Sequence, residues 1–196
     1  VLLKSLANNS SSGHNPDPWI QSLVDQPQTF TKNASENGWF KINSANMELQ
    51  WEKTPGESLP LVDIPQFTGQ VVLVVDVRGP KAAHDLYEFM KTRELSSKAL
   101  ILSASDGLLK DMQYYDVNLL LSCGQAYLIR LRMLHQLGLA NLMKTTMSAA
   151  WLDGALFQDD LEELASELLQ RRVPVFIGPQ LKASSSSSLP MNVLLP

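Results

Sequence analysis

The stretch Val71-Val-Leu-Val-Val-Asp76 is continuously apolar and mostly β-branched, and it ends on an acid. Such a run suits a central strand covered on both faces. Two further segments follow it: Lys98-Ala-Leu-Ile-Leu-Ser103-Ala-Ser105 and Cys123-Gly-Gln-Ala-Tyr-Leu-Ile-Arg130. Between the first two, Pro80 suits the first turn of a helix, and Ala82, Leu86, Phe89 and Met90 recur at helical spacing. Asp106 is placed to cap a helix starting near Leu108. The expected strands are therefore 70–77, 99–104 and 126–129, with 118–121 as a helix end or a turn. An acid closes the first strand, a hydroxyl the second and a base the third. That is the layout of the carboxyl edge of a parallel sheet, where doubly wound proteins place their chemistry.

Working upstream, Trp39–Ile42 reads as a short strand. Asn46–Trp51 alternates polar and apolar residues, as a half-buried strand or hairpin partner does. Residues 54–57 are a turn, and Pro60 and Pro65 break the chain before the sheet. Downstream, 134–147 is helical by period. Residues 157–170 form the cleanest amphipathic pattern, with Leu161, Leu164, Ala165, Leu168 and Leu169 on one stripe, acids in the first turn and Arg171-Arg172 at the end. Residues 173–177 suit a last strand, and the serine run 184–188 a flexible linker. The expected organisation is 1–37 as a linker or the tail of a preceding domain, 38–150 as the main α/β domain, 151–182 as a C-terminal helix and connection, and 183–196 as a flexible tail.

Composition narrows the function classes. The apolar fraction is 44% and supports a core, while the net charge of −4 and the lack of a basic block argue against nucleic acid. Cys123 is alone, so there is no disulfide framework or cysteine metal site, and a small core residue is the simpler reading. His14, His84 and His135 are scattered without ligand spacing, and no glycine-rich phosphate loop exists. No apolar run is long enough to cross a bilayer. A reducing, cytoplasmic setting is expected, with no direct membrane insertion. The first residue is Val1, and an internal fragment of a longer protein is expected.

Strand, acid, crossover, strand ending in Ser-Ala, crossover, then Gly-x-x-Tyr-Leu before a base resembles the receiver domain of two-component signalling over about residues 68–147. The resemblance aligns Asp76 with the phosphorylatable acid, Ser103 with the switch hydroxyl and Arg130 with the conserved lysine of that family. The family's magnesium-binding acidic pair has no match upstream of Gln70 beyond Asp63, and Leu131 replaces the proline. Arg130 also offers a planar fork where the family has a point charge. The resemblance therefore implies a degenerate, receiver-like (flavodoxin-like) three-layer fold with a central parallel sheet and an N-terminal extension, its site positions vestigial and metal-free.

Tyr115-Asp-Val-Asn-Leu-Leu-Leu-Ser-Cys-Gly-Gln-Ala-Tyr-Leu-Ile129 is similar to the receiver-like domain of the BcsE family, regulators of bacterial cellulose secretion. That family binds cyclic di-GMP through Arg-x-x-Asp motifs. The matching position here is Gln113-Tyr-Tyr-Asp116, which keeps the acid and lacks the arginine. The resemblance implies a non-catalytic regulatory or interaction domain in the cyclic di-GMP pathway. It implies no cofactor in this fragment, with cyclic di-GMP left to the full-length protein. Its partners would be the cellulose secretion machinery, flanking domains or a second copy, with recruitment to the inner membrane by those partners. The alternatives are a phosphorylatable receiver and a small α/β nucleotide-binding domain. Without kinship, Asp76 reads as a cap for loop amides, Ser103 as a strand-end hydroxyl and Arg130 as one half of a salt bridge.

Overall fold

A computed structural model of the chain describes residues 17–144, 147–152, 160–178 and 189–196. The described elements are helix α1 (Pro18–Asp25), strands β1 (Thr29–Lys32), β2 (Gly38–Ala45), β3 (Glu48–Thr54), β4 (Glu57–Pro60) and β5 (Val71–Asp76), α2 (Pro80–Thr92), β6 (Ala99–Leu102), α3 (Asp106–Tyr115), β7 (Leu120–Cys123), α4 (Gln125–Gln136), β8 (Ala149–Leu152), α5 (Leu161–Gln170), β9 (Val175–Ile177) and β10 (Asn192–Leu195).

Eight of these strands are parallel neighbours in the order β1-β10-β9-β8-β7-β6-β5-β2, and β1 also pairs with β2, so the sheet closes on itself. The register confirms the closure. Lys32 lies level with Trp39, Trp39 with Val72, Val72 with Leu100 and Leu100 with Leu120. The remaining registers carry that level on round the ring to residue 24 of the first strand's line, a stagger of eight residues from 32 to 24. Eight strands with a shear of eight is the geometry of the (β/α)8 barrel.

This corrects the expected fold. A flavodoxin-like sheet is open, with two free edges and a switch point, whereas here both ends of the sheet are stitched together. The receiver-like regulatory reading within cyclic di-GMP-linked cellulose secretion presupposed that open sheet and falls with it. So do its two alternatives, the phosphorylatable receiver and the small doubly wound nucleotide-binding domain. The physical reason is that the strand-helix-strand units 71–123 are common to both architectures, and closure is decided by strands far from them in sequence.

The third central strand also moves. It is Leu120–Cys123, buried on both faces, while 126–129 lies in α4, which starts after Gly124. A short apolar run beside a glycine fits either state by periodicity alone. Helix α4 ends at Gln136, short of the expected helical stretch to 147. The amphipathic stripe at 161–168 is α5, with its leucines buried; residues 157–159 and 184–188 lie outside the described residues. Ser105, not Asp106, caps α3, its Oγ accepting from the Leu108 amide at 3.3 Å.

Alternation along each strand sorts the core. Inward residues Phe30, Trp39, Val72, Val74, Leu100, Leu102, Leu120, Ala149, Trp151, Phe176 and Leu194 fill the barrel. Outward residues pack one half of the wall under α2, α3 and the β3–β4 hairpin, and the other half under α4 and α5. Helix α1 packs Trp19, Ile20 and Leu23 against the barrel filling. Its start is fixed by Asp17, whose carboxylate accepts from the Trp19 amide at 2.8 Å, and by Pro18 in the first turn.

The first turn of the barrel is irregular. Five residues, 33–37, join two parallel strands that share only two register pairs. Asn33 and Asn37 take positive φ there, 59° and 46°, a conformation asparagine tolerates. Gly38 is required because a Cβ would lie 1.8 Å from the Ala34 carbonyl oxygen. Where a barrel helix would follow β2, the chain instead turns back at Asn46-Met47, both with positive φ, into β3 antiparallel to β2, and β3 then pairs with β4 in a hairpin.

Candidate functional site

Parallel closure sends every strand's carboxyl end to one rim, the face on which barrel proteins of this kind carry their sites. A cavity of about 760 Å³ opens there. Its lining follows the strand pattern. Lys32 ends β1, Lys41 lies two residues beyond Trp39 on the inward face of β2, Asp76 ends β5, and Ser103–Gly107 follow β6. Trp39 and Trp151 lie beneath them at the top of the barrel filling. Gly178 leaves room for the Trp151 ring, since a Cβ there would sit 2.9 Å from it. The Trp39 indole N–H donates to the Leu195 carbonyl at 2.6 Å, which ties β2 to β10 across β1.

The most enclosed charges are a triad. Glu52, from β3, takes the Lys32 ammonium on Oε1 at 2.6 Å and the Lys41 ammonium on Oε2 at 3.0 Å. The Lys32 hydrogen bond, opposed by burial and aided by Lys41, holds the Glu52 carboxyl below the usual carboxylate range. Lys32 also lies 5.6 Å from the Trp39 ring centre, within reach of a cation–π contact.

Asp76 and Ser103, read from the sequence as vestigial receiver positions, both line this cavity. Ser103 is buried and committed: its hydroxyl donates to the Val75 carbonyl at 2.8 Å and accepts from the Ser105 amide at 3.2 Å. Its own amide donates to the Ser122 hydroxyl at 3.0 Å. Asp106 reaches across to the start of the next helix, accepting from the Ala126 amide at 3.0 Å. Asp76 and Arg78 are exposed at the rim without a side-chain partner among the described residues.

Arg130 is not part of the rim. It is exposed on α4, and the structure separates it from Asp76 and Ser103. Gln113 lies in a separate outer groove beside α3, and Asp116 accepts from the Asn118 amide at 2.9 Å just after that helix. His84 sits by Tyr115 on the outside of α2, and His135 is 3.3 Å from Glu167 on the α4–α5 face. Burial pushes the Cys123 thiol up to about 12, the pattern of an inert core thiol. Among the described residues no group of three His, Cys, Asp or Glu side chains is placed to hold a metal ion. No described helix is long and apolar enough to cross a membrane.

Lys32, Lys41, Glu52 and Arg78 were not singled out by the sequence. A period-two reading of Trp39-Phe-Lys41 puts Lys41 on the face of Trp39, and the same reading of 48–54 gives a charged residue beside Trp51. Those are the signals that bear on them.

No protein-family model matches the chain, and no curated protein does. Among solved structures it is similar to a glycerophosphodiester phosphodiesterase from Parabacteroides distasonis ATCC 8503, with a TM-score of 0.49 and 8% identity, over 83% of this chain and 79% of that one. The barrel assignment rests on this chain's own strand pairing and stagger.

Proposed function

We propose that this barrel binds a small polar molecule at its carboxyl-end mouth and does not turn it over. The observation that carries the reading is the convergence of Lys41, Arg78 and Asp76 on a cavity of about 760 Å³ whose base is the filled barrel. That volume lies within the ~300–1,000 Å³ usual for small-molecule sites. Charges of both signs suit a ligand that is itself polar or charged.

The absence of turnover is argued from what the reactive groups already do. The Ser103 hydroxyl spends its proton on the Val75 carbonyl. Asp106 is tied to a helix amide. Glu52, clamped by two ammonium groups, is a poor proton acceptor near neutral pH. Each group holds the frame in place of a reacting atom.

Two-dimensional proton–nitrogen spectra of the full chain against a panel of sugar phosphates, amino acids and nucleotides test this. The Trp39 and Trp151 indole signals should shift with at least one ligand, while that of Trp19, in α1, stays fixed. Shifts confined to other regions would overturn the mouth as the site. Ligand conversion that Asp76→Asn abolishes would overturn the claim of binding without turnover.

A further inference from the structure

Lys32 and Lys41 point to one place because β1 and β2 are in register and both residues lie on the inward face. Two ammonium groups so close repel each other unless an anion sits between them. The barrel-strand acid on this cavity, Asp76, pairs with neither lysine; their anion comes from β3, part of the hairpin that lies outside the eight-strand ring. The hairpin thus reaches over the rim and fills a dicationic site with its own carboxylate. Glu52 and Lys32 side chains are 16% and 15% exposed, whereas Lys41 is 40% exposed and open to the cavity. Arg78, two residues past the end of β5, the strand next to β2, opens on the same cavity and has no side-chain partner among the described residues.

Resting on the mouth reading, we infer that Lys32, Lys41 and Arg78 form a subsite for a phosphate group, with Glu52 as its displaceable internal occupant. A carboxylate has two oxygens and satisfies two lysines. A phosphate dianion has a third oxygen for the arginine, whose guanidinium Glu52 leaves unpaired. The ligand's phosphate takes the ammonium groups, and Glu52 swings out on the hairpin edge to water. Affinity at this subsite is therefore set by competition between a tethered carboxylate and a free oxyanion.

The sign of one substitution decides it. Inorganic phosphate and phenyl phosphate are titrated into the full chain and into Glu52→Gln, Glu52→Asp and Lys41→Gln, read by the Trp39 and Trp151 indole signals. Removing the internal anion should tighten phosphate binding by about tenfold in Glu52→Gln. Glu52→Asp, too short to span both lysines, should tighten it less, and it serves if the glutamine variant fails to fold. Lys41→Gln should abolish binding. Tighter binding of phenyl phosphate than of free phosphate would identify a monoester ligand, and the reverse order the free ion. Unchanged or weaker binding in both Glu52 variants would mean that Glu52 positions the lysines, and would overturn the inference. If phosphate fails while other panel ligands still move the two indoles, this subsite falls and the mouth reading stands. If no ligand moves them, both fall.

Discussion

The two ends of the barrel are built for opposite purposes. At the amino end, α1 lays Trp19, Ile20 and Leu23 on the barrel filling, and Asn192, fully buried, satisfies three backbone groups at once. Its carbonyl accepts from the Gln28 amide at 2.8 Å, and its amide donates to the Leu23 and Val175 carbonyls at 3.2 and 3.3 Å. At the carboxyl end, Asp76, Arg78 and Lys41 face an open cavity. Asn192 at the bottom closes the structure, whereas at the top Asp76 and Arg78 are left without a side-chain partner among the described residues. The contrast separates stability from function along one axis of the molecule.

Substitutions at the two ends sharpen that contrast. The largest loss should follow Phe176→Ala, which empties the barrel centre beside Phe30; about 3–5 kcal/mol is expected by chemical denaturation. Asn192→Ala strands the amide and carbonyls it served and should cost about 3 kcal/mol. By contrast, Arg78→Gln at the rim should stay within about 0.5 kcal/mol of the parent. A rim substitution as costly as one at the bottom would break the division.

Two smaller effects refine it. Met47→Gly should stabilise by about 1 kcal/mol, because Met47 is exposed and holds φ at 64° in a turn that favours Asn-Gly. Glu52 should contribute a modest acid sensitivity. Its folded carboxyl titrates below the ordinary value of 4.5, so its stabilisation is complete above that pH and is lost as pH falls through the lower folded value. The stability difference between the parent and Glu52→Gln should therefore shrink on acidification. A difference that grows on acidification would contradict the clamped carboxylate.

Legibility in the sequence followed the same division between local and global signals. Val71–Asp76 and Ala99–Leu102 are strands where unbroken apolar runs placed them, because burial on both faces leaves a mark in four to six consecutive residues. Leu120–Cys123 was displaced because a run that short carries no period. Closure left no local mark at all. Strands β1 and β10 are four residues each, and β1 offers one apolar side chain, Phe30, between threonines. What joins them is the sum of registers around the ring, a quantity no window of sequence contains. The site was half legible for the same reason. Asp76 and Ser103 stand at ends of strands the sequence marked, whereas Glu52 arrives from a hairpin whose path over the rim depends on the barrel having closed.

Closure is also the most direct point of test. Nuclear Overhauser contacts between backbone protons should connect Phe30 with Leu194 and Thr31 with Gly38, the pairs that join β1 to both of its neighbours. The closed barrel predicts both sets together, with slow exchange of the Thr31 amide, which donates to the Asn37 carbonyl at 3.1 Å. Absence of either set, with the 29–32 amides exchanging freely while those of 71–76 stay protected, would show an open sheet and contradict the account.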